Sequence, residues 1–217
     1  MSWPPWARFA QLMVGLVLYG VSQALLVRSD LGLDPWDVFH QGLARRTGLT
    51  IGTWVILTGV AVLLLWIPLR QRPGLGTLCN ALLLGLFLDR ALAAIPPVHG
   101  LSARWAFLVG GIVLCGVATG LYIGAAMGPG PRDGLMVGVA NRGHSIRVVR
   151  TAIELTVLVV GFLLGGTVGI GTALFAVAIG PISHVTIPAF SRGPVLHERR
   201  AGSTPAPGRE ELACASD

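Results

Sequence analysis

The chain has 217 residues, of which 53% are hydrophobic and only 12% are charged, about half the charged share that is typical of soluble domains. Its formal net charge is +6, and all 16 of its basic residues other than histidine are arginines. Because these arginines lie between long apolar stretches, they indicate membrane loops rather than a nucleic-acid surface. The composition therefore excludes most soluble enzymes and nucleic-acid-binding domains and predicts an all-α polytopic membrane protein whose first partner is the lipid bilayer.

In chain order, six apolar segments are long enough to cross a bilayer, which takes about 20 helical residues. The six tryptophans fall at or just outside the ends of these segments, as expected for side chains that prefer the membrane interface. The predicted spans are residues 9–27, 51–69, 75–95, 105–127, 149–166 and 168–190.

Two short segments follow the first and the fourth span, and they begin at Pro35 and Pro131. Twelve helical residues extend about 18 Å, which is too short to cross the membrane. We expect both segments to be half-helices, either re-entrant or lying at the interface.

The arginines are unevenly divided between the two sides that alternate loops would occupy. One side collects eleven of them, including the four of the tail, and the other collects five. The positive-inside rule then puts both termini in the cytoplasm. Residues 1–190 are predicted as a single membrane domain, and residues 191–217, rich in Pro, Gly and charge, as a disordered cytoplasmic tail.

The chain contains an internal duplication. Residues 15–43, shifted by 96, match residues 111–139 at ten positions, and residues 74–85, shifted by 95, resemble residues 169–180. The two repeats cover about 9–95 and 105–190. Three predicted crossings in each repeat would insert the second one upside-down, an architecture common among secondary transporters. The alternative is a duplicated scaffold that carries no ligand.

The turns before the two half-helices contain the first candidate site residues. Asp34 is placed to cap the first half-helix, with Pro35 at its first position and Asp37 at its third. Gly130, Pro131 and Asp133 take the same places in the second repeat. Capping of the helix N-termini explains both acids. Alternatively, Asp37 and Asp133 are a pseudo-symmetric pair at opposite mouths of a pathway, with Arg132 as an anion-binding group.

The fifth predicted span carries Arg147, Arg150 and Glu154 on one face. Glu154 lies inside an apolar run, so it should pair with Arg150, be protonated or face a wet cavity. A structural ion pair and a functional one are both consistent with this spacing. If the site is functional, Glu154 is the candidate for proton coupling.

Other polar residues have simpler interpretations. Asp89 near the outer end of the third span is expected to be an interfacial anchor, and His40 an interfacial residue. Thr77, Asn80 and Thr172 should cap their helices or bond a neighbouring helix. The five histidines have no metal-ligand spacing, and no serine lies in a G-x-S-x-G context, so we expect neither an enzyme nor a metal or other cofactor.

Four blocks of the sequence together resemble the YczE/YyaS/YitT family of bacterial integral membrane proteins, and most closely its YczE branch. They read LGLDPWDVFHQGLARRTGLTIGT, RPGLGTLCNALLLGLFLD, GPGPRDGLMVG and RTAIELTVLVVGFLLGGTVGIGTALFAVAIGP. The resemblance covers about residues 9–185 and implies a multi-spanning protein of the bacterial inner membrane.

Two functions are consistent with these observations. The first is a small secondary transporter or exporter, proton-linked, that acts on a small organic or anionic solute. The second is a non-transporting membrane partner, which supports a larger assembly or a biosynthetic pathway. A homodimer fits the transporter hypothesis, and nucleic acid is not an expected partner of either.

Overall fold

The computed structural model describes residues 4–191, which form eight helices and no strand. This confirms the all-α class, and the predicted disorder of the tail lies outside these residues. Both half-helices begin at the predicted prolines. The helices are α1 (Pro5–Ser29), α2 (Pro35–Thr47), α3 (Ile51–Trp66), α4 (Leu75–Ala94), α5 (Leu101–Gly124), α6 (Pro131–Ala140), α7 (Ile146–Leu163) and α8 (Ile170–Phe190).

Four of these helices, α1, α4, α5 and α8, are long and apolar enough to cross a membrane. Helices α2 and α3 pass the same test only as a pair, which is bent by 115°. Helix α7 has 18 residues but carries two arginines and a glutamate. The chain is therefore a multi-pass membrane protein with four or five candidate spans among the described residues, and the count of six stays a prediction.

Helices α1 and α5 form the centre of the molecule and run antiparallel. A Cβ at Gly15 of α1 would lie 2.8 Å from the backbone nitrogen of Tyr122, near the end of α5. At the other end of the pair, a Cβ at Gly111 would lie 2.9 Å from the side chain of Leu26. In the internal duplication, with its shift of 96 residues, Gly15 is equivalent to Gly111 and Leu26 is equivalent to Tyr122. Repeat-related glycines thus allow the close approach of α1 and α5 at both ends of the pair.

The turns that follow α1 and α5 have matching backbone geometry. Gly32 has a φ of 121° and Gly128 a φ of 124°, a left-handed conformation in which glycine avoids a Cβ clash. Each turn packs against the N-terminus of the last helix of the other repeat, so the Gly32 turn contacts α8 and the Gly128 turn contacts α4. A Cβ on either glycine would lie 2.7 Å from a threonine hydroxyl there. These hydroxyls belong to Thr172 and Thr77, which also accept hydrogen bonds from Gly169 and Gly74 and so cap α8 and α4 as predicted.

The two halves differ in how their last two helices pack. Helix α3 packs closely on α4, where a Cβ at Gly85 would lie only 2.2 Å from the carbonyl oxygen of Gly52. Within residues 4–191, α7 has no comparable packing against α8. A shift of 95 residues puts Arg147 in the place of Gly52 and Glu154 in the place of Gly59. The small residues that let α3 approach α4 are therefore replaced by long charged side chains in α7.

Candidate functional site

A cavity of about 180 Å³ lies where the two repeats meet. The first turns of both half-helices line it, together with the middle of α1 and α5 and the facing sides of α7 and α8. Asp37 and Asp89 are absent from its lining. Six of the predicted site residues line it, namely Asp34, Asn80, Arg132, Asp133, Arg150 and Glu154.

At the start of α2, Asp34 caps the helix as predicted, because its Oδ1 accepts a hydrogen bond of 2.8 Å from the backbone nitrogen of Asp37. The carboxylate of Asp37 does not bind the free amides of this terminus. Its Oδ1 lies 3.3 Å from Nδ1 of His40, one helical turn later. His40 is only 1% exposed, so the interfacial interpretation of this histidine is wrong. The turn of α2 points it toward α3 instead of the membrane surface.

A chain of hydrogen bonds continues from His40 to Thr58 of α3, whose Oγ1 lies 2.7 Å from Nε2 of the imidazole. The single hydroxyl hydrogen of Thr58 is donated to the carbonyl of Trp54. Thr58 Oγ1 then accepts from Nε2–H, and a hydrogen bond between Nδ1 and Asp37 Oδ1, which are 3.3 Å apart, needs one further proton on either group. This assignment follows from the network. The buried Asp37–His40 pair consequently shares a proton that either residue can hold.

The start of α6 is built differently. Its N-cap is Gly130, which offers no side-chain acceptor, so the backbone N–H groups of Arg132 and Asp133 have no acceptor within the described range. The Asp133 carboxylate does not cap the helix either, because its Oδ2 accepts a hydrogen bond of 2.8 Å from the hydroxyl of Tyr122. Its predicted role as an acceptor for these amides is thus wrong.

Arg132 extends across the interface between the repeats. Its Cζ lies 4.9 Å from the ring centroid of Trp36, a distance at which a guanidinium is attracted to an aromatic face. No carboxylate within residues 4–191 forms a salt bridge or hydrogen bond with this guanidinium. The indole of Trp36 is only 8% exposed, and its N–H has no partner in the same range. Two residues that line the cavity, Arg132 and Trp36, therefore have side-chain hydrogen-bond donors without an acceptor among residues 4–191.

On the opposite wall, Arg150 and Glu154 form the predicted ion pair, with Nε of the arginine 2.9 Å from Oε1 of the glutamate. Both side chains are partly accessible, 58% and 32% exposed respectively. Arg147, on the same predicted face, does not line the cavity. The gap between α7 and α8 thus has a charged border.

Asp89, near the end of α4, hydrogen-bonds to the start of α3. Its Oδ2 accepts a hydrogen bond of 2.6 Å from the hydroxyl of Thr50, and its Oδ1 accepts one of 2.9 Å from the backbone nitrogen of Gly52. It therefore joins the N-terminus of α3 to α4, because the two helices run antiparallel. The repeat-related position in α8 is His184, which makes no such bond within the described chain. The Asp89 link contributes to the closed packing of α3 on α4.

Replacement of Asp89 by asparagine should lower the free energy of unfolding by about 1.5–3 kcal/mol, since hydrogen bonds to charged groups contribute this much. Thermal unfolding of the purified protein in detergent measures the change. Asp30→Asn is the control, because its carboxylate is 65% exposed in a surface ion pair and should contribute less than about 1 kcal/mol. Equal losses for the two variants would contradict the proposed link.

Three residues that are important here were not identified from the sequence, namely Tyr19, Thr58 and Tyr122, and a fourth, His40, was predicted in a different environment. The two tyrosines stack with ring centroids 5.9 Å apart, and both line the cavity. They are the only tyrosines in the chain, and each lies in an apolar span where a phenol hydroxyl needs a partner. That signal could have identified them, whereas the partnership of His40 with Thr58 depends on how α2 packs against α3.

Comparison with known proteins places this architecture in a family. The family of unknown function DUF6198 matches residues 6–188. The chain is 44% identical over 184 residues to an uncharacterized protein of Haemophilus influenzae, covering 84% of each. It is 33% identical to the uncharacterized membrane protein YczE of Bacillus subtilis, covering 83% of this chain and 86% of that one.

A second Bacillus subtilis protein, YyaS, is 29% identical over 192 residues, which cover 86% of this chain and 96% of YyaS. No solved structure matches the chain. The similarity extends over all eight helices and agrees with the resemblance that the sequence blocks carry. The chain belongs to the DUF6198 family of membrane proteins, with YczE and YyaS among its relatives.

Proposed function

We propose that this protein is a small secondary transporter that moves a small organic or anionic solute across the bacterial cytoplasmic membrane, with proton coupling. The observation that carries the proposal is the cavity at the meeting point of the repeats, lined by the N-terminal turns of both half-helices. In secondary transporters built from inverted repeats, the substrate site lies at such an interface, and broken helices point their N-termini at it.

The asymmetry of the two halves supports the same function. The α3–α4 pair is packed and joined by Asp89, whereas α7 and α8 are separated beside the cavity. Alternating access needs two such arrangements, one in each repeat, that exchange during the cycle. With both termini in the cytoplasm, α7 begins and α8 ends on the cytoplasmic side. On this predicted orientation, we assign the arrangement to a state that is open to the cytoplasm and closed to the outside.

Two groups are available for proton coupling. The buried Asp37–His40 pair can hold a proton on either residue. It lies beside the cavity, because Trp36 of the same helix turn lines the cavity wall. Glu154 borders the gap between α7 and α8 and can exchange its partner Arg150 for a proton. A proton that binds at either place changes the charge close to the site, which is how a proton gradient can be linked to solute movement.

Reconstitution into proteoliposomes tests the proposal, with a panel of small organic acids, amines and amino acids under an imposed pH gradient. Asp133→Asn should lower the initial rate of uptake at least about tenfold, because the loss of a charge-assisted contact to a bound solute has that effect. Glu154→Gln should weaken the dependence of the rate on the pH gradient.

The control variant for this experiment is Asp30→Asn, which removes an acid of the same type far from the cavity and should leave uptake unchanged. If neither Asp133→Asn nor Glu154→Gln changed any detected flux, the assignment of these residues would be wrong. Absence of flux together with a stoichiometric partner after gentle solubilisation would favour the alternative, a non-transporting component of a membrane assembly.

A further inference from the structure

The two half-helices differ at one position that faces the cavity. In α2, the carboxylate of Asp34 occupies the N-cap and accepts the backbone N–H of the third helical residue. In α6, Gly130 takes this place, and a Cβ there would be crowded by the hydroxyl of Tyr122 at 3.1 Å and the carboxylate of Asp133 at 3.2 Å, with the amide oxygen of Asn80 at 3.8 Å. A carboxylate that the chain supplies to α2 is therefore missing at α6.

The hydrogen-bond donors at the start of α6 and beside it point to an external carboxylate. The backbone N–H groups of Arg132 and Asp133 and the guanidinium of Arg132 have no acceptor in the described part of the chain. Trp36 also lines the cavity and is more than nine-tenths buried, and its indole N–H has no acceptor either among residues 4–191. A helix N-terminus favours a negative group, and an arginine binds a carboxylate through two parallel hydrogen bonds.

A simple anion does not suit the rest of the cavity. Arg150 and Glu154 neutralise each other, which leaves Arg132 to face two further acids, Asp34 and Asp133. An anion bound at Arg132 would add a third negative charge to this group. A ligand that brings its own ammonium group avoids the repulsion, because the Asp133 carboxylate also lines the cavity and, within residues 4–191, accepts a hydrogen bond only from the hydroxyl of Tyr122.

We infer that the cavity binds a small amino-acid-like zwitterion, with its carboxylate at the N-terminus of α6 against Arg132 and its ammonium group against Asp133. The inference rests on the proposed function, because it names the class of solute that is carried. The cavity of about 180 Å³ has the volume of about six water molecules in the liquid, so the ligand is small.

Binding to the full-length protein in detergent, measured by calorimetry, tests this inference without any flux. The probes are sets of three matched compounds, such as L-alanine with propionate and ethylamine, or L-leucine with 4-methylpentanoate and isopentylamine. At least one amino acid should bind about tenfold more tightly than both of its analogues. An acid or an amine that binds as tightly as its parent amino acid overturns the inference, and so does the absence of binding by every amino acid.

Two variants separate the two ends of the ligand. Arg132→Gln should weaken binding of the amino acid at least about tenfold and leave binding of the matched amine unchanged. Asp133→Asn should weaken binding of the amino acid and leave binding of the matched acid unchanged. Arg147→Gln, which removes an exposed arginine outside the cavity, is the control and should change nothing. Arg132→Lys keeps the charge but loses the paired hydrogen bonds, so an intermediate affinity is expected if Arg132→Gln does not fold.

If Arg132→Gln weakened binding of the amino acid, the acid and the amine equally, and Arg132→Lys weakened it as much, this arginine would have a packing role. That result would overturn the inference. Binding of an amino acid without any flux in proteoliposomes would support the zwitterion site and contradict the transporter. Flux of a simple acid, without flux of any amino acid, would support the transporter and contradict the zwitterion site.

Discussion

Replacement of Gly85 by alanine should destabilise the protein by about 1–3 kcal/mol, the usual cost of adding a methyl group to a packed interface. A Cβ at this position would lie 2.2 Å from the carbonyl oxygen of Gly52, and a backbone carbonyl cannot move without separating α3 from α4. The same replacement at Gly180, the repeat-related position in α8, meets no atom within 4 Å. Because alanine is a better helix former than glycine by up to about 1 kcal/mol, Gly180→Ala should be neutral or stabilising.

Thermal unfolding in detergent, followed by the amount of protein that remains folded on size-exclusion chromatography, measures both changes. Gly52→Ala removes the same close contact from the other side, since its Cβ would lie 2.1 Å from the carbonyl oxygen of Gly85. The double variant should therefore cost less than the sum of the two single ones. Equal effects at Gly85 and Gly180 would mean that the two repeats pack their last helices alike.

A cysteine at Ser183 should react with a membrane-impermeant maleimide at least about tenfold faster from the cytoplasmic side than from the outside. Ser183 lines the cavity from α8, beside the gap that separates this helix from α7. Residues that border an open cavity need no local unfolding to react, whereas buried ones must first be exposed at a cost of several kcal/mol. The background has Cys79, Cys115 and Cys214 replaced, because Cys115 itself lines the cavity.

The matched control is Leu88→Cys, the repeat-related position in α4, which is fully buried against its neighbours. We expect it to be unreactive from either side when its fold is intact by thermal unfolding. Labelling of intact cells and of inverted vesicles distinguishes the two sides. Faster reaction of the Ser183 cysteine from the outside would reverse the proposed orientation, and equal reactivity at both positions would contradict the asymmetric opening.

Several elements could be predicted from the sequence because their causes are local. Pro35 and Pro131 begin half-helices since proline fits the first helical position, where its missing N–H is not needed. Asp34 caps α2 because an aspartate at the N-cap can reach the amide three residues later. The Arg150–Glu154 pair follows from a spacing of four on one helix. Each of these interactions connects residues within four positions of one another.

The roles of other candidates could not be predicted because their partners are distant in the chain. Asp89 bonds to Thr50, 39 residues away, and His40 bonds to Thr58 only because α3 bends back by 115° from α2. Asp133 has the same place in its turn as Asp37, and the duplication therefore predicted the same role for both acids. Their actual partners, Tyr122 and His40, differ because the positions that face them diverged between the repeats.

By itself, the sequence determined the membrane character, the order of the helices and the existence of two related halves, since hydropathy, capping and self-similarity depend on the chain alone. Only the tertiary structure decided which polar groups meet. It brought Arg132 to Trp36 and left its guanidinium without an acceptor among residues 4–191, and it packed α3 on α4 while leaving α7 apart from α8. The reason is physical: in a packed membrane protein, the environment of a charged group is set by helices from elsewhere in the chain.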